Sequence, residues 1–152
     1  MIGRNITVVN SGSIRGGLSA DDTSRTKAIQ FNGGDNRLEL RAGYSFAGNV
    51  VADGSGDALE LSGFDDGVFD ASQVGGNERF QEFSEYRKKD QGTWTLENST
   101  DAVTPWKVDA GTLSVSDDGS LGATSGGLVL DGAALRNTAV IETNRSVTLE
   151  AD

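Results

Sequence analysis

The chain has 152 residues, 36% of them hydrophobic, with 21 glycines and a single proline, Pro105. Its formal net charge of −10, from 23 acidic against 13 basic residues, excludes the basic surface that nucleic acid requires. Cysteine and histidine are both absent, which excludes disulfides, thiolate zinc sites and any histidine-based triad, so Ser11, Ser13 and Ser125 have no imidazole to activate them.

The first residues, Met1-Ile2-Gly3-Arg4-Asn5, run straight into an apolar-polar-apolar triplet. No secretory signal precedes it, and Met1 reads as an addition to an excised fragment. No run approaches the roughly 18 apolar residues of a membrane-spanning helix. The triplet then recurs along the chain. It stands at Ile6-Thr7-Val8, Ile29-Gln30-Phe31, Leu38-Glu39-Leu40, Leu59-Glu60-Leu61 and Trp94-Thr95-Leu96, and continues at Trp106-Lys107-Val108, Leu113-Ser114-Val115, Leu128-Val129-Leu130 and Val147-Thr148-Leu149. Glycine, asparagine, aspartate and serine clusters separate the copies. Strict alternation puts the two outer residues of each triplet on one face of a short strand.

The spacing of the copies carries the architecture. Leu38 to Leu59 is a step of 21 residues, and Trp94 to Leu113 and Leu128 to Val147 are steps of 19. At the first offset Gly33 matches Gly54 and Asn36 matches Asp57. A period near 20 predicts an all-β parallel β-helix, with glycines at the corners: Gly33-Gly34, Gly54, Gly75-Gly76, Gly111 and Gly126-Gly127. One such coil buries too little apolar surface to offset the entropy of ordering its backbone, so coils fold only by stacking. About seven of them, ~4.8 Å apart, make a rod roughly 35 Å long. Phe31, Phe46, Phe64 and Phe69 read as internal stacking residues.

Glu78 to Gln91 breaks the alternation. Phe80, Phe83 and Tyr86 recur every three residues, loosely one face of a helix, but the stretch ends at Gly92 and runs directly into Trp94-Thr95-Leu96, which favours extended structure. Within it, Arg87-Lys88-Lys89 between Glu85 and Asp90 reads as a solvated corner.

Candidate chemistry is sparse. Asp53-Gly54-Ser55-Gly56-Asp57 resembles a glycine-aspartate calcium repeat, one residue out of register and without tandem copies. Asp65-Asp66 and Asp117-Asp118 are acidic pairs beside glycines. Neighbours on a strand point to opposite faces, so such pairs read as turns rather than as metal or acid–base sites. Trp94 and Trp106 have faces that could stack on sugars, but each begins an apolar triplet and reads as core. No catalytic, cofactor-binding or metal-binding residue is assigned, no cofactor is expected, and the chain reads as non-enzymatic.

Asn10-Ser11-Gly12-Ser13-Ile14-Arg15-Gly16-Gly17 resembles the N-S-G-x-I-x-G-G element of bacterial autotransporter passengers. Gly92-Thr93-Trp94-Thr95-Leu96 followed by Trp106-Lys107-Val108-Asp109-Ala110-Gly111-Thr112-Leu113-Ser114-Val115 is similar to the passenger repeat of that family. Leu121-Gly122, Gly127 to Gly132, Leu135-Arg136 and Arg145 to Leu149 continue it. The resemblance implies a right-handed parallel β-helix from a type V secretion passenger, at the bacterial cell surface, in the outer membrane or outside the cell. Over residues 1–152 it implies one β-helix fragment: N-terminal coils in 1–76, then passenger-repeat coils in 77–152, the barrel-proximal, autochaperone-like stretch that folds first. The implied role is a stalk and folding scaffold for an adhesin-type passenger. Its partners would be neighbouring passenger coils and a C-terminal β-barrel translocator, with host or bacterial surface molecules as further targets and end-to-end self-association at exposed coil ends. The alternatives are a carbohydrate-active β-helix enzyme, such as a polysaccharide lyase or glycosidase, and a directly adhesive module.

Overall fold

A computed structural model describes residues 4–53 and 55–150. Short strands dominate, and the only helical elements among the described residues are two 3-10 turns, Ala71–Gln73 and Asp118–Leu121. With strands numbered along the chain, the largest sheet takes seven in strict chain order: β1 (Thr7–Asn10), β4 (Arg37–Leu40), β7 (Ala58–Leu61), β10 (Glu85–Lys88), β12 (Trp106–Val108), β14 (Leu128–Asp131) and β16 (Val147–Glu150). A second sheet joins β8 (Gly67–Asp70), β11 (Thr93–Glu97), β13 (Thr112–Val115) and β15 (Ala134–Asn137). A third joins β3 (Ile29–Gln30), β6 (Val50–Val51) and β9 (Phe80–Gln81), and β2 (Ser13–Arg15) pairs with β5 (Ser45–Ala47). All pairings between these strands are parallel.

The registers explain the triplets. Val8, Leu38, Leu59, Tyr86, Trp106, Leu128 and Val147 stand in one row across the largest sheet. Two residues further along, Asn10, Leu40, Leu61, Lys88, Val108, Leu130 and Leu149 form a second row. Both rows face the core, and all their members from β4 to β12 are buried. Each buried leucine contributes roughly 1.5–3 kcal/mol. The position between the rows faces out and carries Glu39, Glu60, Arg87 and Lys107.

The offsets of 21 and 19 residues are the pairings Leu38 with Leu59, Trp94 with Leu113 and Leu128 with Val147. Two steps are longer. Val8 to Leu38 spans 30 residues because an exposed loop, closed by the Leu18–Arg25 bridge, intervenes. Leu59 to Tyr86 spans 27 because the segment between them holds the Ala71–Gln73 turn. Phe80, Phe83 and Tyr86 are all buried without a helix. A left-handed residue, Glu82 (φ 62°), lies between β9 and β10.

Two expectations are corrected and one is refined. Phe64 is 80% exposed rather than internal: it lies in the corner between β7 and β8, where Gly63 (φ 99°) redirects the chain. Lys88 is not solvated but wholly buried, because its place in β10 points into the core between Leu61 and Val108. Of the expected corner glycines, Gly33 and Gly111 are left-handed (φ 80° and 67°), whereas Gly126 and Gly127 are not. Gly54 and Met1 lie outside the described residues.

Candidate functional site

The structure disperses the residues singled out above. Trp94 and Trp106 are 0% and 2% exposed, so neither ring is open to a sugar. Trp94 donates from Nε1 to the Ser62 carbonyl (3.1 Å), and Trp106 packs against Phe69 and Tyr86. Asp57 is fully buried. Its Oδ1 accepts from the backbone and side-chain nitrogens of Asn36 (2.8 and 3.0 Å), and its Oδ2 accepts from the Asp53 N–H (3.2 Å). Asn36 in turn accepts from the Ile6 N–H. These carboxylate oxygens tie corners of successive rows together.

The acidic pairs hold turns. Asp66 accepts from the Thr93 N–H (2.9 Å) and Asp117 from the Gly119 N–H (2.8 Å). Asp118 accepts instead from Arg145 Nε (2.8 Å), and that guanidinium holds its carboxyl below the usual carboxylate range. Ser11, Ser13 and Ser125 are all exposed.

Two buried cations were hidden in the sequence because their partners are backbone carbonyls. Lys88 Nζ donates to the carbonyls of Lys89, Asp90 and Ala110 at 2.7, 2.7 and 3.0 Å. Burial pushes its pKa down, against the opposing charge of Asp90. Arg145, with a side chain only 1% exposed, donates to the carbonyls of Asp118, Leu121, Gly122 and Gly126 at 2.9–3.2 Å. One side chain thus gathers the whole corner that precedes β14.

Outside the largest sheet runs a ladder of charge. Arg37 and Lys89 flank Glu60, Arg41 pairs with Glu39, and Arg87 meets Glu85 and Asp109. Lys107 bridges Asp109, Asp131 and Glu150. Most of these groups are partly exposed, so each pair contributes little alone. Glu60 is the exception: its side chain is 1% exposed. Its Oε1 lies 2.7 Å from Arg37 Nε yet accepts no aligned hydrogen bond among the described residues. Burial raises its pKa, against the pull of Lys89, Arg37 and Arg87.

A cleft of about 460 Å³ is lined by residues in and next to β5 and β8, which belong to different sheets and do not pair. Its walls include Tyr44, Phe46 and Phe80, and its polar groups are Ser45, Asp66, Asp70, Gln73 and Arg79. Arg79 donates to the Phe46 carbonyl and to Gln73 Oε1. Burial and the nearby Asp70 push the Tyr44 phenol up to about 12. No group of three or more metal-ligating side chains converges among the described residues.

Comparison with known proteins gives one partial likeness. A 67-residue stretch, 44% of the chain, is 40% identical to the adhesin BmaC autotransporter of Brucella suis biovar 1 (strain 1330). That stretch is 2% of the length of the Brucella protein. No family model matches the chain, and no solved structure matches it. The similarity relates this chain to an autotransporter adhesin without singling out any region of the passenger.

Proposed function

We propose that this chain is a stretch of an autotransporter passenger, folded as a right-handed parallel β-helix and serving at the bacterial surface as a non-enzymatic stalk and folding scaffold. The observation that supports this best is the seven-stranded parallel sheet laid down in chain order, two rows of its side chains forming the core. Each turn of the chain covers the apolar face of the turn before it, so a chain that emerges progressively gains stability by adding to a formed neighbour. Residues 77–152, with the wholly buried Trp94, the Lys88 cage and the Arg145 cage, are the segment we assign as the folding seed. The 67-residue likeness to an autotransporter adhesin supports the cellular setting.

The test uses the full-length protein displayed on bacteria. Trp106→Ala and Leu113→Ala, both in the core, should lower the surface amount and the protease resistance of the passenger. Arg87→Ala and Lys107→Ala, on the outer face, should leave display and cell binding unchanged. Normal display of the core variants would sink the scaffold reading. Loss of cell binding by the outer variants at normal display would point instead to a directly adhesive face.

A further inference from the structure

The cleft between β5 and β8 is a consequence of how successive rows meet. β4 pairs with β7 and β6 with β9, so the turns of chain containing β5 and β8 are neighbours on two sides. On this side they do not pair. Arg79, from the loop before β9, enters the gap and gives the Phe46 carbonyl the donor that a neighbouring strand would have supplied. Gln73 fixes the guanidinium through Nε at 2.7 Å. The opening that remains, about 460 Å³, falls in the range of clefts that hold small ligands, roughly 300–1,000 Å³.

Its chemistry narrows the ligand. Tyr44 is half-buried, and its ring leans on Phe46 and Trp94 with centroids 6.2 and 6.1 Å away. The Tyr44 hydroxyl makes no hydrogen bond among the described residues, and Tyr44 lines the cleft. Asp70 is held in place by Ser72, Gln73 and Asn98, which leaves its carboxylate ionised and fixed. Two carboxylates, Asp66 and Asp70, stand against one guanidinium, which disfavours sulfated or carboxylated ligands. The guanidinium at the wall, already hydrogen-bonded to protein, disfavours a compact cation. Carboxylates, a phenol, an amide and a serine hydroxyl beside aromatic walls suit a ligand with many hydroxyls and no charge.

We propose that this cleft binds a neutral saccharide, one or two sugar rings of a glycan chain, with Tyr44, Asp70 and Arg79 as the contacting residues. The cleft would do so whether or not the chain is part of a passenger, so a failed display experiment leaves this site standing.

The experiment is titration of the isotopically labelled chain with neutral hexasaccharides (cellohexaose, maltohexaose and chitohexaose), followed by amide chemical shifts. Hexasaccharides of uronate and of sulfated sugar are the charged arm. At millimolar concentration at least one neutral probe should shift the amides of residues 43–46 and 66–70. Tyr44→Phe keeps the ring and its packing and should weaken that probe about fivefold or more through one lost hydrogen bond. Asp70→Asn, which keeps one acceptor oxygen, should weaken it by a similar factor, and Lys107→Ala should leave it unchanged. The proposal is overturned if no neutral probe shifts the cleft, if the charged probes bind more tightly, or if Tyr44→Phe binds as the parent does.

Discussion

The indole of Trp94 fills the space that a side chain at Gly67 would need. The two residues are register partners on β11 and β8, and a Cβ built on Gly67 would come within 2.8 Å of the ring. The indole then lies near Tyr44, so one missing side chain lets a single ring connect two neighbouring layers.

Gly67→Ala should therefore destabilise the chain by about 1–3 kcal/mol through overpacking. Gly67 is not in the left-handed region, so the cost is steric rather than conformational. Urea unfolding measures it, and a neutral substitution would show that the Trp94 ring moves freely.

Arg145 should be irreplaceable by lysine. A lysine supplies a charge but lacks the fork that reaches four carbonyls and the Asp118 carboxylate together. Arg145→Lys should cost about 1–3 kcal/mol, from carbonyls left without a donor, and amides around residues 118–126 should exchange faster with solvent. Unchanged protection there would contradict the cage.

Asp118 and Glu60 should respond to pH with opposite signs. The folded pKa of Asp118 is lowered, first by its hydrogen bond to Arg145, so its contribution is present at neutral pH and is lost as pH falls below about 3.8. Glu60 is raised by burial above 4.5, so the folded chain holds that proton more tightly than the unfolded one. Its contribution is complete below 4.5 and declines as pH rises through the folded value. Glu60→Gln should flatten stability against pH above 4.5 and leave the chain at least as stable at neutral pH. A marked loss of stability there would show that the ion pairs with Arg37 and Lys89 outweigh burial.

Phe64→Ser should change stability by less than about 0.5 kcal/mol, because the ring is mostly in solvent. A larger loss in thermal or urea unfolding would place the ring back among the core.

Much of this architecture was legible in the sequence, because alternation and spacing survive wherever a row is short and apolar. Leu38 with Leu59, Trp94 with Leu113 and Leu128 with Val147 could be paired by counting. The period failed at Leu59 to Tyr86 because the inserted turn lengthens the row, and because Lys88 occupies a core position that alternation reserves for apolar residues. Lys88 and Arg145 were misread or missed for one physical reason: their partners are backbone carbonyls, which carry no residue signature. Trp94 and Trp106 were correctly read as core. The cleft could not be read at all, since it arises where β5 and β8 fail to pair, and Tyr44, Asp70 and Arg79 share no motif.

The central claim is that the largest sheet adds its strands in chain order, one row per step. The chain has no native cysteine, so pairs of spin labels can be placed without background. Val9, Lys107, Val129 and Thr148 all occupy the outward position of the sheet. Distances from a label at Val9→Cys to labels at Lys107→Cys, Val129→Cys and Thr148→Cys should increase by one strand spacing each, near ~19, ~24 and ~29 Å. Distances that fail to rise in that order would contradict the account.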